Sequence, residues 1–289
     1  MKKISKNILK LVYKERSLNS HKYDFGLLIV IGGGKFYTGS PILAALAGFR
    51  AGVDMVHIFA PKRVADIAAA FSPNLAAYPL IGDILRKKHL PILLDKIMRA
   101  IEVSNGKVAI VIGGGMGRGL ETQNLVLELL KAINLPLVID ADAIHFVAKK
   151  PEILKGKKII LTPHLQEFFV LTGKKIIDLE IEERAKIVKE MAKKFETIIL
   201  LKGKYDIISD GNEIYINETG SPYMTKGGTG DTLAGICASL LAQGVEPILA
   251  AQISAYINGK AGEIAANLKG PSLLATDLIE AIPEVIKNN

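Results

Sequence analysis

The chain has 289 residues, a formal net charge of +8, one cysteine, no tryptophan and 27 glycines. Its 49% apolar and 23% charged residues supply a sizeable core, which excludes intrinsic disorder, and the length allows one large or two ordinary domains. A lone Cys237 makes no internal disulfide, so an oxidised secreted scaffold is excluded, and the lysines fall in scattered pairs without interleaved aromatics, which argues against a nucleic-acid surface.

In chain order, residues 1–24 alternate charged and apolar positions and are expected to form a helical extension, without the pattern of a signal peptide. No run of about 18 apolar residues occurs anywhere, so no membrane span is expected and the protein is read as cytoplasmic. From residue 25 to 289 one domain is expected, because no Pro/Ser/Gly-rich linker and no internal repeat divides the chain. Short β-branched runs at Leu27–Ile31, Val53–Phe59, Val108–Ile112, Leu137–Asp140, Ile159–Thr162 and Ile198–Lys202 read as strands. Helix-period stretches lie between and after them, clearest over Ser40–Ala51, Glu121–Ile133, Ile181–Lys194 and Thr229–Gln243, the last with Thr229 or Asp231 as cap and Gly244 as terminator. Such alternation specifies an α/β fold, a mostly parallel central sheet with helices on both faces. Two further runs, Asp206–Ser209 and Glu213–Ile216, flank Asp210-Gly211-Asn212 and read as an antiparallel hairpin appended to that sheet.

The glycines cluster where ligands bind in such folds. Gly32-Gly33-Gly34 follows the first strand, Gly113-Gly114-Gly115-Met116-Gly117 the third, and Gly227-Gly228-Thr229-Gly230-Asp231 opens a long helix. At the carboxyl edge of an open sheet, helix N-termini present unpaired N–H groups and glycines let the backbone approach an anion. Neither a Walker loop nor a Rossmann Gly-x-Gly-x-x-Gly occurs, which sets aside P-loop enzymes and dinucleotide folds. In the string from Met224 to Gly235 the N–H groups of 227–231 form an anion hole with the Asp231 carboxylate at its mouth, placed to take a proton from a hydroxyl beside bound phosphate. The alternative is that Asp231 only caps the helix and the glycines only turn the chain. Asp140 and Asp142, Thr162-Pro163-His164 with Glu167, and Lys202-Gly203 also fall at strand ends. Each has a structural alternative as cap, satisfied turn or solvated terminus, but their convergence on one edge points to a site.

Read in order, Tyr37-Thr38-Gly39-Ser40-Pro41, Ile112 to Arg118, Ile139-Asp140-Ala141-Asp142-Ala143, Leu161-Thr162-Pro163-His164 with Glu167, Leu201-Lys202-Gly203, Gly227 to Asp231 and Leu274-Ala275-Thr276-Asp277 resemble the NAD(P)H-hydrate dehydratases. The resemblance spans about residue 25 to the end, with nothing like the hydrate epimerase domain often fused to this family. It implies a ribokinase-like fold and removal of water from the 6-hydroxyl hydrate of NADH or NADPH using ADP or ATP. It further implies Asp231 as catalytic base, and Lys202, Gly203, Lys204, Tyr205, Asp206, Gly228, Thr229 and Gly230 at the nucleotide. Ser40, Gly115 and His164, with Asp231, would line the hydrate pocket. Mg2+ would ride on the phosphates with no dedicated metal ligands, and a homo-oligomer, tetramer or dimer, is implied as partner. Four positions depart from the family's usual residues: Ser40 for alanine, Gly114 for proline, Lys226 for a small residue or threonine, and Asn258 for histidine; Asp206 adds a carboxylate near the nucleotide. A kinase of the same fold acting on a thiazole or pyrimidine alcohol, and a non-catalytic nucleotide-binding regulator, are the rival readings.

Overall fold

The computed structural model describes residues 1–287. Its strands are β1 (Lys2–Lys3), β2 (Leu27–Ile31), β3 (Met55–Pro61), β4 (Ala76–Leu80), β5 (Val108–Ile112), β6 (Leu137–Ile139), β7 (Ile159–Leu161), β8 (Ile198–Leu201), β9 (Asp206–Ser209) and β10 (Ile214–Asn217). Its α-helices are α1 (Gly39–Arg50), α2 (Lys62–Phe71), α3 (Leu90–Val103), α4 (Leu120–Ala132), α5 (Asp142–Val147), α6 (Leu165–Thr172), α7 (Ile181–Phe195), α8 (Thr229–Ala242), α9 (Pro247–Lys269) and α10 (Ala275–Lys287). The strands form one sheet in the order β1-β10-β9-β8-β7-β6-β5-β2-β3-β4. Strands β2 to β8 run parallel, β9 turns back antiparallel on β8, and β10 turns back antiparallel on β9.

Strand periodicity explains the two-layered cover. Leu28 and Val30 of β2 face the layer built by α1, α2, α8, α9 and α10, while Leu27, Ile29 and Ile31 face α3 to α7. Because both faces are buried, the strands read as continuous apolar runs rather than alternating ones. The hairpin turn at Asp210-Gly211-Asn212 is held by Asp210 Oδ1, which accepts from the N–H groups of Asn212 and Glu213.

Three local expectations need correction. The run read as Val53–Phe59 is shifted two residues later, to β3 at Met55–Pro61. Edge strand β4 was not anticipated; it lacks β-branched residues and contains Pro79, which an edge strand tolerates. The first 24 residues are mixed rather than helical: β1 pairs parallel with β10, a 3-10 turn spans Lys6–Leu11, and Leu9 dips into the core. No described helix is long and apolar enough to cross a membrane.

Sheet order reverses between β5 and β2, since the chain grows from β2 to β3 and β4 on one side and returns to place β5 on the other. Ligand crevices of open α/β sheets form at such a switch point, at the carboxyl ends of the strands. The glycine loops after β2 and β5 meet there: Gly33 N–H donates to the Gly114 carbonyl at 2.8 Å.

Candidate active site

Helices α1 and α8 both begin at this edge and pack along stripes of small residues. Ser40, Ala44 and Gly48 lie four apart on α1, as do Asp231, Gly235 and Ser239 on α8, so each set shares one helix face. A Cβ at Gly235 would collide with the Ala44 carbonyl, and Ser239 Oγ donates to the Gly48 carbonyl at 2.8 Å. This close approach sets Ser40 Oγ against Asp231, to whose Oδ1 it donates a hydrogen bond.

The start of α8 is capped by Gly228, whose φ of +102° is a left-handed conformation that favours glycine. Neither Thr229 nor Asp231 caps the helix, against expectation. Thr229 Oγ1 donates instead to the Met224 and Lys226 carbonyls, tying down the preceding turn. The N–H groups of Gly227, Gly228, Gly230 and Asp231 have no acceptor among the described residues. They lie at the positive end of the α8 dipole, which suits an anion. From behind, α9 braces this turn: Asn258 Oδ1 accepts from Thr232 Oγ1 at 2.7 Å and its Nδ2 donates to the Thr229 carbonyl at 3.3 Å.

The other strand ends assemble a buried ionic cluster. Asp140, after β6, accepts through Oδ1 from Thr162 Oγ1 at 2.7 Å and from Lys202 Nζ at 2.8 Å. Lys202 lies 3.8 Å from Glu167 Oε2, and its Nζ would stand 3.4 Å from a Cβ on Gly230, which puts the ammonium beside the α8 turn. Burial disfavours the Lys202 charge, yet Asp140 and Glu167 outweigh it and hold the ammonium pKa above its ordinary value. Burial raises Glu167, with Asp140 adding to it and Lys202 opposing. Burial, then the Asp140 charge, push the Asp231 carboxyl up to about 6, against the Ser40 hydrogen bond and Lys202. An aspartate titrating there is ionised at neutral pH and yet basic enough to take a proton.

His164 ends the third side of the site as the N-cap of α6. Its Nδ1 accepts from the N–H groups of Gln166 and Glu167, and Glu167 accepts in return from His164 N–H at 2.9 Å. Its Nε2 lies 3.3 Å from Glu167 Oε1. Gly115 sits in the loop after β5 beneath Tyr37, whose Cβ would lie 2.8 Å from a side chain there. Asp142 holds the same loop, accepting from Gly117 N–H at 2.9 Å and Arg118 Nε at 2.8 Å rather than capping α5.

Of the segment read as nucleotide-binding, only Lys202 reaches Asp231's surroundings. Gly203, Lys204 and Tyr205 form the exposed turn between β8 and β9, where Lys204 Nζ lies 5.2 Å from the Tyr205 ring centre. Asp206 turns inward: its carboxylate accepts from Gly203 N–H at 3.2 Å and from Asn217 Nδ2 at 3.0 Å, and burial raises its pKa to about 6. Asn217 escaped the sequence reading, which ended that strand one residue early, at Ile216. Lys226, one residue before the glycine turn, donates to the Pro271 carbonyl at 2.6 Å, so its ammonium is engaged away from the turn.

A mostly parallel sheet with a glycine-rich helix start of unpaired N–H groups at its switch point and a carboxylate in that first turn defines a ribokinase-like protein. The chain matches a ribokinase-like superfamily protein of Enterococcus faecalis V583 with a TM-score of 0.85 at 26% identity, covering 99% of this chain and 95% of that one. Residues 28–284 match the family model described as NAD(P)H-hydrate dehydratase, and the chain belongs to that family. It is 34% identical over 289 residues to the ADP-dependent (S)-NAD(P)H-hydrate dehydratase of Nitrosopumilus maritimus, covering 99% of this chain and 97% of that protein. It is 41% identical to the bifunctional NAD(P)H-hydrate repair enzyme of Hyperthermus butylicus over 95% of this chain, and it spans 51% of that longer relative. An ADP/ATP-dependent NAD(P)H-hydrate dehydratase from Bacillus subtilis, co-crystallised with ATP/Mg2+, superposes with a TM-score of 0.79 at 26% identity, covering 98% of this chain and 97% of that one.

Proposed function

We propose that this protein removes water from the 6-hydroxyl hydrate of NADH or NADPH in a reaction driven by ADP or ATP, restoring the reduced cofactor. The observation that carries the reading is the meeting of Asp231, half-buried with its pKa pushed to about 6, with the free N–H groups of the glycine turn and the Lys202 ammonium. Family membership and the named activities of the relatives support the same substrates.

Hydroxide is a poor leaving group, and the site's chemistry supplies a better one. Asp231 takes the proton of the substrate hydroxyl as its oxygen attacks the terminal phosphoryl group and the phosphoanhydride bond breaks, giving a phosphate ester and AMP or ADP. The N–H groups of Gly228, Gly230 and their neighbours, with Lys202, hold the transferring phosphoryl oxygens by pre-aligned dipoles and charge. The ester carbon–oxygen bond then breaks as the ring nitrogen donates its lone pair, and loss of a proton from the adjacent ring carbon yields the dihydronicotinamide and phosphate. A Mg2+ ion carried on the phosphates would neutralise part of their charge. The described residues contain no cluster of three or more His, Cys, Asp or Glu fit to cage a metal, and Asp140 is already engaged by Lys202 and Thr162, so the chain's donors suit a cation carried on the nucleotide rather than a resident ion.

Ser40, Gly115 and His164 line the hydrate side of this reading, and the 202–206 turn the nucleotide side. The reading includes a cytoplasmic location, supported by the lone buried Cys237. It also includes homo-oligomerisation, supported by the exposed Phe169, Val170 and Ile177. Incubating the purified protein with NADH hydrate and either ADP or ATP should restore the reduced-nicotinamide absorbance. No recovery with either nucleotide, together with phosphorylation of a thiazole or pyrimidine alcohol, replaces the reading by the kinase alternative.

A further inference from the structure

We propose that Ser40 is a positioning residue for Asp231, its hydroxyl fixing Oδ1 so that Oδ2 alone meets the substrate hydroxyl, and that Gly114 lacks a side chain to leave room for that hydroxyl. The proposal rests on Asp231 being the base of the reaction above.

The Ser40 hydroxyl is the one hydrogen-bond donor to the Asp231 side chain among the described residues, and it reaches Oδ1; Oδ2 accepts none and is not sealed from solvent. Both partners stand in the first turns of helices locked together by the Gly235 and Gly48 crossings, so the geometry is set by rigid elements rather than by loops. A Cβ at Gly114 would collide with Ser40 Oγ and stand 2.7 Å from Asp231 Oδ1. The glycine loop after β5 therefore closes over the hydrogen bond and confines it. Every charged group facing Asp231 comes from another element: Asp140 at the end of β6 and Glu167 on α6 resist its ionisation, while Lys202 at the end of β8 favours it. Ser40 is the hydrogen-bonding counterweight to the two acids. A hydrogen bond to an ionised carboxylate lowers its pKa, so losing it moves the base's protonation to higher pH.

The test measures kcat/KM for hydrate dehydration from pH 5 to 9 in the wild type, Ser40→Ala, Ser40→Thr, Gly114→Ala and the double Ser40→Ala/Gly114→Ala, with calorimetric nucleotide affinity as a check on the fold. In Ser40→Ala the acidic limb should move up by about one pH unit, a loss of roughly tenfold on that limb. Ser40→Thr should return the limb towards wild type. Gly114→Ala should lose on the order of 100-fold by displacing the pair. The double variant should be more active than Gly114→Ala, because the closer of the two collisions, with Ser40 Oγ, is gone and Asp231 Oδ1 is left free to yield. An unshifted limb in Ser40→Ala, or a double variant no better than Gly114→Ala, overturns the proposal. A wild type inert towards hydrate with both nucleotides instead overturns the reading beneath it. In that event a carboxyl-carbon NMR titration of Asp231, with and without the Ser40 hydroxyl, still decides whether Ser40 lowers its pKa.

Discussion

Asp231 and Asp206 are two aspartates with the same electrostatic mark and opposite chemical prospects. Burial raises both carboxyls to about 6, and Lys202 pulls both back. At Asp206 both oxygens are engaged by the chain, one by Gly203 N–H and the other by Asn217 Nδ2, and Asn217 in turn donates to the Ala255 carbonyl at 3.1 Å. At Asp231 only Oδ1 is engaged, and the N–H groups beside it have no acceptor among the described residues. A raised pKa alone therefore does not distinguish a reactive carboxylate from a structural one. Unspent hydrogen-bonding capacity does, because a satisfied carboxylate has already exchanged its water for protein and gains little from a substrate.

The largest expected effect tests the reactive member. Asp231→Asn should lower kcat by roughly 10³-fold, the scale of a lost general base, and leave nucleotide affinity within about twofold because the backbone donors remain. Retained turnover in this variant removes Asp231 as the base.

Lys202→Met strikes both aspartates at once. It removes the ammonium from Asp140 and Glu167, leaving buried carboxylates uncompensated, and should cost about 3 kcal/mol in denaturant unfolding while raising the pKa of both Asp231 and Asp206. An unchanged unfolding midpoint means the cluster is more hydrated than its burial implies.

Stability separates the two aspartates most sharply. For each, the folded state holds the proton more tightly than the unfolded chain, so stability falls as pH rises from the ordinary 3.8 to about 6 and is flat above. Asp231→Asn should relieve that cost and stabilise the protein at pH 7 by on the order of 1 kcal/mol, as substitutions at strained functional sites do. Asp206→Asn should do the reverse. Its amide would face the donors Gly203 N–H and Asn217 Nδ2, with a loss of about 1 kcal/mol and a roughly fivefold weaker nucleotide affinity as the 203–205 turn loosens. Thermal unfolding of the two variants at pH 7 reads both signs, and equal signs refute the distinction.

The smallest effect concerns His164. His164→Ala should cost about 1 kcal/mol through loss of the α6 cap, which His164→Asn restores. If hydrate KM rises in both variants while nucleotide affinity holds, the imidazole also meets the hydrate; if the two affinities fall together, its role is confined to the cap.

Much of this was legible in the chain itself. The period of two and the period of 3.6 placed most strands and the clearest helices, and the glycine strings marked the sheet edge where the strand ends converge. The cap of α8 was misread because capping depends on backbone angles, and the left-handed conformation at Gly228 moves the cap ahead of both Thr229 and Asp231. Nothing local reveals that Asn217, on the return strand, claims the second oxygen of Asp206.

The sequence by itself determined the layered α/β architecture and the glycine-rich start of the long helix with Asp231 in its first turn, since these follow from residue spacing and from what glycine is able to do locally. Only the tertiary structure decided which aspartate has a free oxygen. Ser40 and Asp231 lie 191 positions apart, and Lys202 and Asp140 lie 62 apart. Partners so distant meet only when the whole sheet has ordered its strand ends along one edge, because a hydrogen bond forms over a few ångströms that local periodicity does not encode.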